Sequence, residues 1–278
     1  MPLRNPIYLD IDSLLDQAEY ADVPVPHAAE ISEKATQRKG FGGTAKFVGV
    51  GGDASFGKDL EVQTSYTLQP REKASVSKVI DGLIFGGHLV DDLARDAIQI
   101  GSLLEVDGVV KLTPTSFVGK IMHVFRELLG AEGTDPTSLD WDTVEPEVME
   151  QLKAIMTGKD LPPLPLLVEV VGTAAEQRVF VNLPPHFFVD DASLSRLEGP
   201  HTILGSVHHQ VPDGSEGYLS TEHWLFTNWD LTTRKILMTQ MDSLLDQLPD
   251  ELTQDVDTQD VRAWIKGPAL VLDAIAIY

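Results

Sequence analysis

Ile7, Leu9 and Ile11 alternate with polar neighbours, and Leu14, Leu15 and Ala18 then continue at helical spacing. This change of period predicts a short strand running into a short helix, with Asp12 or Ser13 as the N-cap. Pro24 and Pro26 interrupt the pattern, because each removes a backbone donor and biases its predecessor towards extended geometry. Further on, Leu60, Val62, Thr64, Tyr66 and Leu68 share one face of a predicted strand, with Glu61, Gln63, Ser65 and Thr67 on the other. "TAKFVGV" is the expected partner, giving a glycine-rich hairpin over about residues 40–68 with "GGDASFGKD" as its connection. Pro70 then opens a helical stretch carrying Val76, Val79, Ile80, Leu83 and Ile84, broken at Gly86 and Gly87.

"GSLLEVDGVVKL" reads as two short strands turning about Asp107 and Gly108, since Asp-Gly between apolar runs is a hairpin signal. "TPTSFVGKIMHVFRELLG" reads as a helix with Thr113 as N-cap, Pro114 in its first turn and Gly130 past its end. A linker is expected at 132–140, followed by an acidic helix from Val144 to Met156. "LPPLPLLVEVVGTAAEQRVFVNLPP" then supplies two strands about a polar turn, and "HTILGSVHHQV" a third. "STEHWLFTNWDLTTRKILMTQMDSLLDQL" ends in an amphipathic helix, and the apolar "ALVLDAIAIY" reads as a buried strand. The expected fold is α+β, with short antiparallel strands and helices in two closely associated lobes, residues 1–131 and 141–278. "DSLLDQ" occurs at Asp12–Gln17 and again at Asp242–Gln247, but the flanks differ, as suits two exposed amphipathic helices rather than a duplication.

Composition narrows the function. Forty-three acidic against twenty-one basic residues give a formal charge of -22, which repels nucleic-acid phosphates and anionic lipid headgroups. The surplus is densest over residues 132–161 and 241–260, which read as solvated faces or edges. The absence of cysteine removes disulfides, thiolate zinc sites, iron–sulfur clusters and a cysteine nucleophile. "MPLRNPIYLDIDSLLDQ" lacks the apolar core of a secretory signal, so a cytoplasmic location is expected.

Gly52, Gly57 and Lys58 reproduce the spacing of a phosphate-binding loop, but Asp59 stands where the magnesium-binding Ser or Thr belongs. Such a loop must also lead into a helix, whose amides and dipole complete the cradle, whereas the residues after Lys58 read as strand. The stretch is therefore expected to be a hairpin turn. Phe41, Phe47 and Phe56 are the apolar residues it would offer a partner. Five of the eight histidines fall between His186 and His223. A metal or acid–base site there would need His201, one of His208 and His209, and His223 or Asp190 brought together, without any recognised ligand spacing. No GxSxG, kinase, Rossmann or EF-hand pattern is present, so no catalytic residue, metal or cofactor is assigned.

"IYLDIDSLLDQ" at the start, "HTILGSV" at His201–Val207 and the closing "GPALVLDAIAIY" together resemble an uncharacterised family of bacterial proteins that begin with a YLD-plus-helix segment and end on a short apolar strand closing in Ile-Tyr. The resemblance implies a prokaryotic cytoplasmic protein with a shared fold, and it transfers no catalytic residue. The leading expectation is a non-enzymatic, acidic interaction or regulatory protein, self-associating or bound to a protein partner through its glycine-rich hairpin. Two alternatives stand beside it. One is a nucleotide-responsive protein or enzyme with a degenerate phosphate loop at Gly52–Lys58. The other is a membrane-acting effector in bacterial defence or stress whose hairpin inserts into a bilayer.

Overall fold

The computed structural model describes residues 3–25, 42–45, 60–63, 70–90, 93–94, 97–116, 118–120, 164–189, 196–214, 217–226, 230–232, 234–239 and 264–278. Helices and strands are mixed, as the α+β expectation requires, and the centre is a closed five-stranded barrel. Its strands are β4 (Leu103–Leu112), β5 (Leu166–Val171), β6 (Arg178–Leu183), β7 (Gly199–Val211) and β10 (Ala269–Ile277). Around the barrel the order is β10-β6-β5-β4-β7, and β7 pairs back with β10 to close it. Every contact is antiparallel except β10 with β6, which is parallel. This is the connectivity of an OB-type Greek-key barrel. β4 comes from before residue 131 and the other four strands from after residue 141, so one barrel draws on both sides of the expected linker.

Alternation along each strand sends one set of apolar side chains inward: Leu104 and Val106 of β4, Val168 of β5, Val181 of β6, Ile203 and Val207 of β7, and Leu272 of β10. Phe188 and Tyr8 meet edge to face at 5.3 Å within the same core. β1 (Tyr8–Leu9) pairs with Ile277 and Ala276 along the edge of β10 that β6 leaves after Asp273. Val189 in turn donates to the Ile7 carbonyl at 3.0 Å, so β1 fills the seam between β10 and the segment after β6.

Two layers cover the barrel outside. Helix α1 (Ile11–Tyr20) and helix α2 (Pro70–Phe85) bury Ile11, Leu14, Val76, Val79, Ile80 and Leu83 against Leu103, Leu204 and Ile275. Across the barrel, β8 (Tyr218–Ser220), α3 (Glu222–Leu225) and β9 (Trp264–Lys266) lay Leu219, Trp224 and Ile265 over Leu167, Phe180, Val211 and Val271. A separate two-stranded sheet joins β2 (Gly42–Ala45) to β3 (Leu60–Gln63), antiparallel, with Gly42 opposite Gln63. α2 ends at Phe85, where Gly86 and Gly87 follow, and Gly87 adopts a φ of 72° that glycine tolerates. Residues 114–116 and 118–120 are helical, and Thr113 caps them by accepting from the Ser116 amide at 3.3 Å, as the sequence predicts.

Two local expectations are corrected. The first helix is capped by Asp10, not Asp12 or Ser13: its carboxylate accepts from the Ser13 amide at 3.2 Å, because β1 hands the chain directly to the helix. Asp107 and Gly108 do not turn the chain but sit mid-strand in an uninterrupted β4. Gly108 is there for close approach, since a Cβ would meet the Val170 side chain at 2.6 Å and the Val171 carbonyl at 2.8 Å. Gly108→Ala should therefore destabilise by about 1–3 kcal/mol through overpacking, read as a lowered midpoint in a denaturant melt. A midpoint equal to wild type would show that close approach to β5 is not what reserves the position for glycine.

Candidate functional site

One cluster of polar side chains lies where β4, β7 and the residue after β10 meet α2 and the N-terminal segment. Outward-facing positions on β4 place Glu105 and Asp107 side by side, and the register sets Asp107 opposite Thr202. Tyr278 exchanges backbone hydrogen bonds with Thr202, at 3.0 Å and 2.9 Å. Its hydroxyl donates to the Glu105 carboxylate. Burial first, and then that carboxylate, hold the phenol well above its ordinary pKa, with Arg4 acting in the opposite direction.

Arg4 lies with its guanidinium carbon 5.0 Å from the centre of the Tyr278 ring and donates to the buried Asp81 carboxylate of α2. Its backbone amide donates to the Ser77 hydroxyl at 3.0 Å, which itself donates to the Lys73 carbonyl at 2.7 Å. Burial works against the Arg4 charge, but the hydrogen bond to Asp81 and the Tyr278 contacts outweigh it, so the guanidinium pKa is raised. The cluster is therefore a fixed assembly in which one cation is held among Asp81, Glu105 and the phenol.

Beside it opens a shallow cleft of about 430 Å³, lined by Asp107, Val109, Gly172, Pro200, His201 and Tyr278 among others. The Thr202 hydroxyl donates to Asp107 Oδ1 at 2.5 Å. His201 Nε2 lies 2.8 Å from the Arg196 carbonyl, which can only accept, so Nε2 is the donor.

Two further groups lie elsewhere on the barrel. His208 Nδ1 is 2.9 Å from Asp273 Oδ2, and the Asn182 amide donates to Asp273 Oδ1 at 3.0 Å. The histidine and aspartate are about half exposed, which makes this a surface pair of small energetic weight. Lys120, by contrast, is 3% exposed, on the helical residues 118–120. Burial lowers its pKa to about 8, while Glu198 pulls the other way. Next to it Ser116 and Thr113 satisfy the backbone of Leu167, with Ser116 Oγ donating to its carbonyl at 2.7 Å and accepting from its amide at 2.6 Å.

The residues singled out from sequence fare differently. Gly52, Gly57, Lys58, Phe41, Phe47 and Phe56 lie outside the described residues, as do the linker 132–140 and Asp190. The backbone two residues after Lys58 is strand β3. His201 and His208 are seven residues apart on one strand, about 23 Å along it, and turn to different partners. No group of three or more His, Asp or Glu side chains among the described residues is arranged to hold a metal ion. Among the described residues no helix is long and apolar enough to cross a membrane. Arg4, Asp81, Glu105 and Tyr278 carried no sequence signal, since their spacing follows no local period.

The chain belongs to the family described as "Domain of unknown function (DUF6414)", whose model matches residues 3–278. The resemblance of its two ends to an uncharacterised family agrees with that membership at this coarse level. No curated protein and no solved structure matches the chain.

Proposed function

We propose that this DUF6414 chain is a non-enzymatic interaction or regulatory protein that works in the cytoplasm and docks a protein partner through its β2–β3 pair. The observation that carries this reading is the isolation of that pair. It is a sheet of its own, four residue pairs long, and among the described residues it forms no ladder with a third strand. Two strands alone are marginal in water, and among the described residues no strand pairs with either outer edge. A partner strand added to one edge would pair its backbone groups and give the two strands a third.

Charge supports a basic protein as the occupant, because a second copy would bring another -22 to the contact. A nucleic acid is disfavoured for the same reason. In OB-type barrels the outer face of the second and third strands takes oligonucleotides, and here that face, on β5 and β6, is covered by Trp224 and Ile265 from the chain itself.

The test compares wild type with a variant in which residues 42–63 are replaced by a Gly/Ser linker, each used to purify partners from its native cells. Expected is a basic protein held by wild type, lost from the variant, and released as salt rises. The same partners retained by a variant that still melts at the wild-type temperature would overturn the proposal.

A further inference from the structure

The hydrogen-bonded chain Asn182–Asp273–His208 has no part in the β2–β3 reading. Asp273 faces outward from β10, since Leu272 and Ala274 on either side of it point into the barrel core. Asn182 stands opposite it on β6 and faces the same way, between the inward Val181 and Leu183. His208 joins them through a bulge in β7. Val207 pairs with Leu272 and His209 with Val271, which leaves His208 without a partner of its own in the ladder. Three strands thereby hold three side chains in line. Asn182 Nδ2 donates to Asp273 Oδ1 at 3.0 Å, and His208 Nδ1 donates to Asp273 Oδ2 at 2.9 Å.

Two observations set this line apart from an ordinary surface pair. Asn182 Oδ1 is buried and has no hydrogen-bond partner among the described residues, so the amide is held with its donor on Asp273 although its acceptor goes unpaired. With the Nδ1 proton directed to Asp273, the neutral ring carries its lone pair on Nε2, on a side chain that is 52% exposed. Nε2 has no partner among the described residues. An imidazole backed by a carboxylate, itself fixed by a third group, is an oriented nucleophile.

We propose that His208 is a phosphoryl-acceptor site, taking the group on Nε2 from a phosphorylated protein. The Nε2 lone pair attacks phosphorus, and the new bond forms as the bond from phosphorus to the donor atom breaks, its electron pair leaving with the donor. The Nδ1 proton stays in its hydrogen bond to Asp273, whose charge offsets the positive charge that the ring acquires. A phosphoryl group suits an exposed nucleophile, because a phosphoryl imidazole outlives an acyl imidazole in water. The donor is a protein on two counts. His208 stands on the open outer face, where a donor's active site can close over it. The formal charge of -22 repels a free phosphoryl anion, which is better delivered by a protein whose own cations screen it.

The experiment treats the full chain with potassium phosphoramidate at neutral pH and follows each histidine by NMR. Expected is phosphorylation of His208 on Nε2 about tenfold faster than of the exposed His88 in the same molecule. Asp273→Asn should slow His208 by about tenfold or more and leave His88 unchanged. Asn182 already donates to Oδ1, so the amide nitrogen of that variant faces the ring; Nδ1 must then accept from it, and the ring proton moves to Nε2. His208 reacting no faster than His88, or reacting equally fast in Asp273→Asn, would overturn the site. A second arm supplies ATP with desalted lysate of the native cells. Label at His208 that is lost in His208→Asn assigns a protein donor; label from phosphoramidate alone would overturn that donor and leave the site to small phosphoryl compounds.

Discussion

Leu272→Asp should abolish the folded state. Leu272 has no exposed surface and points into the barrel from β10, between Val181 of β6 and Val207 of β7 in the ladder. Among its described neighbours in that core none is charged, so an aspartate would be buried ionised and unpaired or would hold its proton at a high pKa. Either form costs a large part of the roughly 5–15 kcal/mol by which a domain is stable. Leu272→Ala serves as the graded control, with an expected loss of about 2–5 kcal/mol and a fold that survives. Circular dichroism with denaturant melts reads both. A Leu272→Asp protein that melts like wild type would mean that the barrel interior is not the core.

Lys120→Met should act in the opposite direction, raising stability by about 3 kcal/mol at neutral pH. Burial is the main cause that lowers the amine's pKa to about 8 in the folded chain, against its ordinary 10.5. Between those two values the unfolded chain holds a proton that the folded chain has released, so wild-type stability rises with pH across that window. Below pH 8 both states are charged and the full penalty is present. Above pH 10.5 both are neutral and it is gone. The gain from methionine should thus be largest at neutral pH and fade as the solution is made alkaline, which denaturant melts on either side of the window would read. A Lys120→Met protein less stable than wild type at neutral pH would show that the ammonium is held by a stabilising partner.

Much of the barrel was legible because its strands carry their own period. "LLVEVV", "RVFVNL" and "ALVLDAIAI" are apolar runs each flanked by proline on one side, and each is a strand with one face in the core and the other under a covering layer. β4 reads from sequence as two short strands turning about Asp107 and Gly108, because the need for glycine at Gly108 comes from Val170 and Val171 on the neighbouring strand, about sixty residues away, and only the fold brings them close. Barrel closure was illegible for the same reason: nothing local to "RVFVNL" indicates that it runs parallel to a strand beginning at Ala269.

The polar cluster shows the limit most plainly. Arg4 and Asp81 are 77 residues apart, and Tyr278 and Glu105 are 173 apart. Motif reading depends on fixed short spacings and passes over such a set, while favouring Gly52, Gly57 and Lys58, whose spacing is local. Histidine crowding between His186 and His223 misled in a related way, because a strand of thirteen residues can hold His201 and His208 and still keep them far apart.

The seam that β1 fills also sets a schedule for folding. Tyr8 pairs with Ile277, and β10 supplies the contacts that join β6 to β7. Until residue 277 has left the ribosome, β6 and β7 have no strand between them and β1 has no edge to join. Most of these ladders span long stretches of chain, and loops of that length close slowly. During synthesis the apolar faces of β4 to β7 wait uncovered, so the barrel should depend on protection from aggregation until its final strand, β10, has emerged.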